Sequence, residues 1–457
     1  MMRKKLFATS SCYVLFLVSC LALFGCAGQK QGPQGAQGGT LRLALTGELR
    51  SLDPARIGDT ASSLVGQQIY DGLVDFNDGL QIVPGIAESW IISDGGRTYT
   101  FRLRPDVTFH DDPCFPQAGK GRLVTADDFK YSLQRICDPR SLSTGWWLFD
   151  GKVVGANQYR NAVAQNLPGD VAGFKVIDAR TFEIKLVKPF APFLNLLTMS
   201  YAQVVPREAV EKYGADFFKH PVGTGAFRLK EWLPGQRVVL EKNQRYYEKD
   251  GRGQTLPYLQ GIHIQLLRDN TIAFLEFEKG NFDVSGIPPE FWSKVMTQDN
   301  QLQPSYAQRF NLKMGTSLDV GYFGFLMAKT PLGDNQALRQ AFNYAVDRDA
   351  IIKHVLNGRG VAAKGVLPPG MPGFNPSLKG YTYDPAKARQ LLAQAGYPGG
   401  KGLPEFDLQL NSGGSTNEDI AAAVQGQLAK VGIKIRLKLI SWPQHLDAID
   451  RGAAPFF

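Results

Sequence analysis

The chain has 457 residues, of which 44% are hydrophobic and 20% are charged, so it holds enough apolar material to bury several compact cores. Its formal net charge of +9 comes from 51 basic and 42 acidic residues. The basic residues are dispersed and form no continuous block, a pattern that is typical of a solvated surface and argues against a nucleic-acid partner.

Residues 1–25 have the layout of an export signal, because a basic start is followed by an uncharged apolar run. At about 20 residues, that run would also be long enough to cross a bilayer as an uncleaved anchor. Leu23-Phe24-Gly25-Cys26 resembles the bacterial lipobox, in which a peptidase cuts after a small residue and a lipid is attached to the cysteine thiol. Phe24 is bulkier than the usual occupant. We predict a cleaved signal peptide and a lipidated Cys26, with a retained anchor helix as the alternative.

Residues 26–38 are dense in glycine and glutamine and show no apolar periodicity. This composition predicts a flexible tether between the lipid and the folded part of the chain. No later segment approaches the roughly 18 consecutive apolar residues of a membrane-spanning helix. We therefore predict a single attachment to the membrane, through the lipid.

Two cysteines, Cys114 and Cys137, remain in the exported chain without a lipid. An oxidising compartment favours a disulfide between them, and the alternative is two separately buried thiols. Their spacing does not resemble a metal site.

Alternating apolar residues predict three strands in the first half of the chain, in the stretches TLRLALT, RTYTFRLR and TFEIKLV. The side chains expected to face the core are Leu41, Leu43, Leu45, Tyr99, Phe101, Leu103, Phe182, Ile184 and Leu186. Between the second and third strands, Thr125 is a candidate helix cap, and Phe129, Leu133 and Ile136 follow at helical spacing.

The last third of the chain shows the clearest pattern. One helix is predicted by Leu338, Ala341, Phe342 and Ala345, which share a face. A second helix begins at Asp384-Pro385 and ends at Gly396, which are the ordinary start and stop residues of helices.

A strand–helix–strand unit follows and predicts a parallel pair of strands. The apolar positions that carry this prediction are Phe406, Leu408 and Leu410, then Ile420, Val424 and Leu428, then Ile433, Ile435, Leu437 and Leu439. In open α/β sheets, ligands bind beyond the carboxyl ends of the strands. Asn411 and Ser412 follow the first strand and are therefore candidate ligand-binding residues, with an ordinary helix-capping loop as the alternative.

The sequence carries no familiar motif for catalysis or for a cofactor. The chain has no phosphate-binding loop, no complete dinucleotide fingerprint, no H-E-x-x-H and no G-x-S-x-G. Its five histidines are scattered singly, and the group His110, Asp111 and Asp112 is expected to be a solvated turn. We predict a binding protein that is not an enzyme and holds neither a metal nor a cofactor.

Several stretches in one order carry a resemblance to a known family: SLDPAR, IYDGLV, IAESWIISDGGRTYTFRLRPDVTFHD, VTADDFKYSLQRI, HPVGTGAFRLKEWLPGQRVVLEKNQRYY, QALRQAFNYAVDRDAII, LPPGMPGF and YDPAKARQLLAQAGYP. From about Gly39 to its last residue, the chain resembles the large, oligopeptide/dipeptide type solute-binding proteins of bacterial ABC importers.

The resemblance implies an α/β protein with mixed sheets, folded as a two-lobed clamp with an extra α/β domain in the first lobe. The implied divisions are a signal peptide (1–25), a lipidated tether (26–38), two pieces of lobe I (39–78 and 201–310), the extra domain (79–200) and lobe II (311–457). Family members continue beyond the stretch that ends here at Phe457, and that continuation carries an aspartate for the α-amino group of a peptide. We therefore expect the C-terminal part of the fold to be missing from this sequence.

The resemblance also implies a function and two further site residues. A monomeric lipoprotein in the periplasm or at the cell surface would capture peptides between its lobes and deliver them to ABC permease and ATPase subunits. The alternative ligands are nickel chelates, opines or glycosides, and a sensing or scaffolding lipoprotein is the alternative role. Trp442 would line the ligand pocket or else serve ordinary packing. Thr60 would lie in a loop that faces the cleft, beside a solvated Asp59.

Overall fold

The computed structural model describes residues 38–315, 317–328, 330–411 and 415–457, without the side chain of Ser415. The strands are β1 (Thr40–Thr46), β2 (Val74–Phe76), β3 (Ile82–Pro84), β4 (Ala87–Ser93), β5 (Thr98–Leu103), β6 (Phe174–Asp178), β7 (Thr181–Lys185), β8 (Phe227–Leu233), β9 (Arg237–Lys242), β10 (Gly261–Leu267), β11 (Phe406–Asn411) and β12 (Ile435–Ile440).

Helices lie between and after these strands. They are α1 (Thr60–Ile69), α2 (Ala126–Cys137), α3 (Ala156–Ala164), α4 (Phe193–Leu196), α5 (Arg207–Tyr213), α6 (Asn270–Glu278), α7 (Trp292–Val295), α8 (Pro304–Ala307), α9 (Pro331–Asp334), α10 (Gln336–Ala345), α11 (Arg348–His354), α12 (Pro385–Gln394), α13 (Ser415–Ala429) and α14 (Trp442–Asp450). Within the described ranges, no helix is both long enough and apolar enough to cross a membrane.

A four-stranded mixed sheet joins two distant pieces of the chain. Its order is β1-β10-β9-β8, in which β1 runs parallel to β10 and the other pairs are antiparallel. The register pairs Thr40 with Gly261. The predicted first strand is confirmed, and its inward residues Leu41, Leu43 and Leu45 are half-buried against the core.

A second four-stranded sheet, β4-β5-β7-β6, is antiparallel throughout. All six residues predicted to face inward from β5, from β7 and from the position after β7 are buried. Helix α2 packs on this sheet and begins where predicted, since Thr125 and Asp128 form a capping box. Phe129 of α2 stacks on Phe182 of β7 with ring centroids 6.3 Å apart.

A buried ion pair explains the stretch SLDPAR. Asp53 caps the short turn that follows by accepting a hydrogen bond from the Ala55 amide. Its two carboxylate oxygens also accept from the Arg135 guanidinium of α2, at 3.0 and 2.7 Å. Because both charged groups are almost fully buried, the pair fixes the position of this loop on α2.

Gly223 and Gly225 of the stretch GTG allow two segments of backbone to approach each other closely. A Cβ atom on Gly223 would lie 2.0 Å from the carbonyl oxygen of Ile69, and one on Gly225 would lie 2.6 Å from that of Gln68. The Gly225 amide donates a hydrogen bond to Ile69 O at 2.8 Å. Only glycine allows this segment to satisfy the end of α1.

The buried apolar residues form three clusters. The first core runs from Leu52 to Leu266, the middle core contains Phe274, Val295, Met296 and Tyr306, and the last core runs from Leu332 to Phe456. The boundaries predicted for lobes and extra domain remain predictions.

The last core contains the predicted parallel unit, because β11 and β12 pair in parallel and α13 connects them. The four predicted residues of α10 are all buried. Leu439 is the exception to the predicted pattern, because its side chain is 43% exposed.

The final residues of the chain belong to this last core. Phe456 is fully buried and stacks on Phe325 at 5.1 Å between ring centroids. Its carbonyl oxygen accepts from the Gln409 amide of β11, and Leu326 N donates to Pro455 O. The chain end therefore lies between β11 and the segment around Phe325.

The structure does not contain the disulfide that the sequence favoured. Cys114 and Cys137 are free thiols with different neighbours. Cys137 is fully buried at the end of α2, with its Sγ 3.7 Å from Leu133 O, whereas the Cys114 amide donates to Asp112. Burial raises the pKa of each thiol to about 12.

Candidate ligand-binding site

Two of the predicted site residues lie together at the carboxyl ends of β11 and β12. Asn411 is the last residue of β11 and pairs in register with Ile440. Trp442 follows Ile440 closely and is the first residue of α14, whose capping box is formed by Ser441 and Gln444. Asn411 and Trp442 are both half-buried, so each keeps part of its side chain available at this edge. Ser412 lies outside the described residues, as does Cys26.

A buried polar pair beneath this edge was not predicted. Gln409 Nε2 lies 3.2 Å from His445 Nδ1, and both side chains are buried. Burial lowers the pKa of His445, which favours the neutral ring. Because the amide nitrogen donates, Nδ1 accepts and the proton lies on Nε2. The Trp442 ring stacks on His445 with centroids 5.6 Å apart, so the pair supports Trp442.

Thr60 lies on a different part of the chain, as the first residue of α1 and not within a loop. It is exposed. The preceding Asp59 is not solvated as predicted, because it is buried and its Oδ1 accepts from the Ser62 amide at 2.8 Å. A carboxylate in this position caps the helix and interacts favourably with the helix dipole.

Tyr201 is a buried side chain that lies next to Gly58, the residue before Asp59. Its hydroxyl lies 3.0 Å from Thr144 Oγ1. Gly58 and Gly145 leave room for the ring, since a Cβ on Gly145 would lie 2.4 Å from Tyr201 Cδ1. Sequence periodicity gave no sign of this residue, because its neighbours come from two distant segments of the chain, at Gly58 and at Thr144-Gly145.

The pKa of Tyr201 depends in part on the charge of a residue of helix α14. Burial raises the pKa of Tyr201, the hydrogen bond with Thr144 opposes this, and the negative charges of Asp450 and Asp59 raise it further. Asp450 is the last residue of α14 and is exposed. The candidate site residues thus fall into two groups: the α1 wall (Asp59, Thr60, Thr144, Tyr201) and the α14 wall (Asn411, Trp442, His445, Asp450).

His110, Asp111 and Asp112 do not form the solvated turn that was expected. His110 is buried, and its Nε2 lies 2.9 Å from Gly225 O, while burial lowers its pKa to about 4. Asp111 pairs with Arg245, and Asp112 accepts from the Tyr213 hydroxyl. Of the three, only His110 is buried, whereas Asp111 is exposed and Asp112 is half-buried.

A cavity of about 230 Å³ lies against α10 and is separate from both walls. Its lining residues are Phe325, Gln336, Arg339, Gln340, Asn343 and Tyr381. None of the predicted site residues contributes to it.

Comparison with known proteins decides the family. The family model described as "Bacterial extracellular solute-binding proteins, family 5 Middle" matches residues 81–457. The chain belongs to this family. The dipeptide-binding protein of Escherichia coli K12 is 31% identical over 391 residues, which cover 84% of this chain and 68% of the relative. The heme-binding protein A of Haemophilus influenzae is 32% identical over 404 residues, which cover 87% of this chain and 69% of the relative.

Solved structures agree with this assignment. The murein tripeptide binding protein MppA of Escherichia coli matches with a TM-score of 0.76 and 26% identity, over 92% of this chain and 79% of that protein. The predicted family and the predicted two-lobed α/β fold of periplasmic binding proteins are therefore confirmed. As a member of this family, the chain is a solute-binding protein of an ABC importer.

Proposed function

We propose that this solute-binding protein captures short peptides between the α1 wall and the α14 wall and delivers them to ABC permease and ATPase subunits. Thr60, Asn411, Ser412 and Trp442 would contact the ligand. The proposal includes lobe I formed by residues 39–78 and 201–310, the extra domain by 79–200 and lobe II by 311–457.

The observation that carries the proposal is the edge at which Asn411 and Trp442, both half-buried, lie together at the carboxyl ends of β11 and β12. Asp450 forms no ion pair within the part of the chain that the structure describes. A peptide brings an α-ammonium group that this carboxylate would attract, and Trp442 offers apolar area with one N–H donor for a side chain. The relatives with dipeptide and murein tripeptide in their names support the same ligand class.

Sequence-tolerant binding of peptides has a physical basis in such a site. An extended peptide pairs through its main chain like an added strand, and ordered water fills the space around its side chains. Closure of the lobes requires that the ligand bind the closed arrangement better than the open one, since equal affinity would shift nothing. No chemical step is needed, and we propose that the protein acts without one.

The peptide proposal is tested by native mass spectrometry of the full chain purified from its own host. Peptide masses should accompany the protein, and isothermal titration should show binding of alanylalanine. Haemin, a nickel chelate, an opine and a glycoside serve as competing ligands. Binding of one of these, with no peptide bound, would replace the proposed ligand, and absence of all ligands would favour the sensing or scaffolding role.

We further propose that Cys26 carries a lipid which holds the protein at the periplasmic or outer surface of a membrane, as a monomer. Cys26→Ser should release the protein from membrane fractions, and size-exclusion chromatography of the released chain should give the monomer mass. Retention of an uncleaved precursor in the membrane would support the anchor helix instead.

A further inference from the structure

A contact outside the candidate site joins the last core to the region of the middle core. Arg359, which follows α11, donates from Nη1 to Ile287 O at 3.1 Å. Its guanidinium lies over the Trp292 ring of α7, 4.7 Å from the ring centroid. The same side chain donates from Nε to Leu356 O, next to α11. Arg359 is thus held by a hydrogen bond to Leu356 on its own side of the contact, and it binds Ile287 and Trp292 on the other side.

The neighbouring Asn357 makes a second hydrogen bond across the same boundary. Its Nδ2 donates to Pro289 O at 3.3 Å. Asn357 and Gly358 both have positive φ, of 52° and 76°, a backbone region that asparagine and glycine tolerate better than other residues. This tight turn presents both side chains to residues 287–292. We call residues 357–359 the clasp.

The clasp matters because it joins two separate cores. The middle core ends at Tyr306 and the last core begins at Leu332. The hydrogen bonds and the ring contact of the clasp are therefore non-covalent contacts between the two regions. Burial of Arg359 is strong enough to lower its pKa, with Glu290 opposing this effect. The guanidinium is therefore partly shielded from water, and there hydrogen bonds and cation–π contacts are stronger than at an open surface.

We propose that Arg359 is a positioning residue that stabilises this arrangement of the two lobes and thereby sets ligand affinity without touching the ligand. The ligand part of this inference rests on the proposed function. When only a fraction of the molecules is competent to bind, the apparent dissociation constant rises in inverse proportion to that fraction. Loss of the clasp lowers the competent fraction.

Arg359→Ala in the full chain tests the inference. Small-angle X-ray scattering of the ligand-free protein should show a larger radius of gyration than for the unchanged chain. The Kd for alanylalanine should rise about five- to tenfold, the range expected for losing a charge-assisted hydrogen bond and a cation–π contact. Trp292→Leu, which removes the ring from the other side, should raise the Kd similarly, and the two effects should be less than additive.

Arg309→Ala is the matched control. Arg309 donates to Glu278 O at 2.6 Å and lies 4.7 Å over the Phe310 ring, so it makes the same kinds of contact. Both of its partners lie on its own side of the boundary, so this variant should change neither the radius of gyration nor the Kd.

An Arg359→Ala protein with an unchanged radius of gyration would overturn the inference, as would tighter binding of alanylalanine. Should the unchanged chain fail to bind alanylalanine, the proposed ligand is wrong, while the scattering comparison still decides on the clasp.

Discussion

Buried charges and distant strand pairs hold the first core together, whereas the paired strands of the last core, β11 and β12, are close along the chain and its buried residues are mostly apolar. In the first core, β1 pairs with β10 across more than half of the described chain, and Arg135 is buried against Asp53. Near the last core, the ion pairs Arg436–Asp407 and Arg451–Asp447 have exposed basic partners.

The surfaces of the two regions differ as well. Large apolar side chains near the last core are strongly exposed, among them Val366 at 88%, Val361 at 76% and Tyr322 at 72%. The first region therefore depends on polar groups being matched in its interior, and the last region depends on a small apolar centre. The two should respond differently to substitution and to pH.

The largest expected effect is that of Arg135→Ala in the first core. It leaves the buried Asp53 carboxylate without its partner, and removal of one member of a buried pair costs about 3–5 kcal/mol. Urea denaturation followed by circular dichroism measures the loss. Arg140→Ala is the control, because its pair with Asp138 leaves the guanidinium 65% exposed, and such surface pairs contribute about 0–1 kcal/mol. Equal losses in the two variants would contradict the role of burial.

The next largest effect is expected for Leu338→Ala, which acts on the last core. Leu338 is fully buried on α10, and a Leu→Ala change in a packed core costs about 2–5 kcal/mol. Hydrogen exchange should become faster in α10, α12 and β11 while β5 and β7 keep their protection. Leu439→Ala is the control, since Leu439 is already 43% exposed. Loss of protection in both regions together would show that they unfold as one unit.

Local patterns predicted the elements of both regions well. Thr125 and Asp384 cap the helices that they were expected to cap, and the alternating residues of β5, β7 and β11 are buried. Each of these outcomes depends on side chains within a few positions of one another. Periodicity of 2 or 3.6 residues carries that information directly.

What the sequence did not predict depends on partners that are distant along the chain. Asp53 and Arg135 are separated by 82 positions, and Tyr201 meets Thr144 across 57. His110 was expected in a solvated turn and is instead buried against the GTG segment. Leu439 continues an apolar alternation but is 43% exposed. No spacing rule within one element reports such neighbours.

Asp71 should give the first core a pH dependence that the last core lacks. Burial raises the pKa of Asp71 to about 7, Glu248 and Asp75 add to this, and a hydrogen bond from Thr224 opposes it. Between the ordinary value of 3.8 and about 7 the folded state holds more protons than the unfolded state. Stability contributed by this group is therefore present at low pH and is lost as the pH rises through about 7.

Asp71→Asn removes the ionisation and should flatten the decline in melting temperature between pH 4 and about 7. Calorimetry at closely spaced pH values measures it, with Asp78→Asn as the control, because Asp78 is exposed and is not among the groups that shift the pKa of Asp71. His110 works in the other direction, since its lowered pKa costs stability as the pH falls below its ordinary value. An unchanged slope in Asp71→Asn would show that Asp71 is ionised in the folded protein.

The smallest expected effect concerns the two thiols of the first core. Their reactivity shows whether they are separately packed or linked by a disulfide. With pKa values of about 12, Cys114 and Cys137 hold little thiolate at neutral pH, and the thiolate is the reactive form. Ellman's reagent should therefore react slowly with a folded chain that lacks the signal peptide and the tether. After denaturation without reductant, it should react fully with both thiols. Cys114 should react before Cys137, because it is half-buried and Cys137 is inside α2. Failure of both thiols to react until reductant is added would reinstate the disulfide, and Cys114→Ser would then free Cys137.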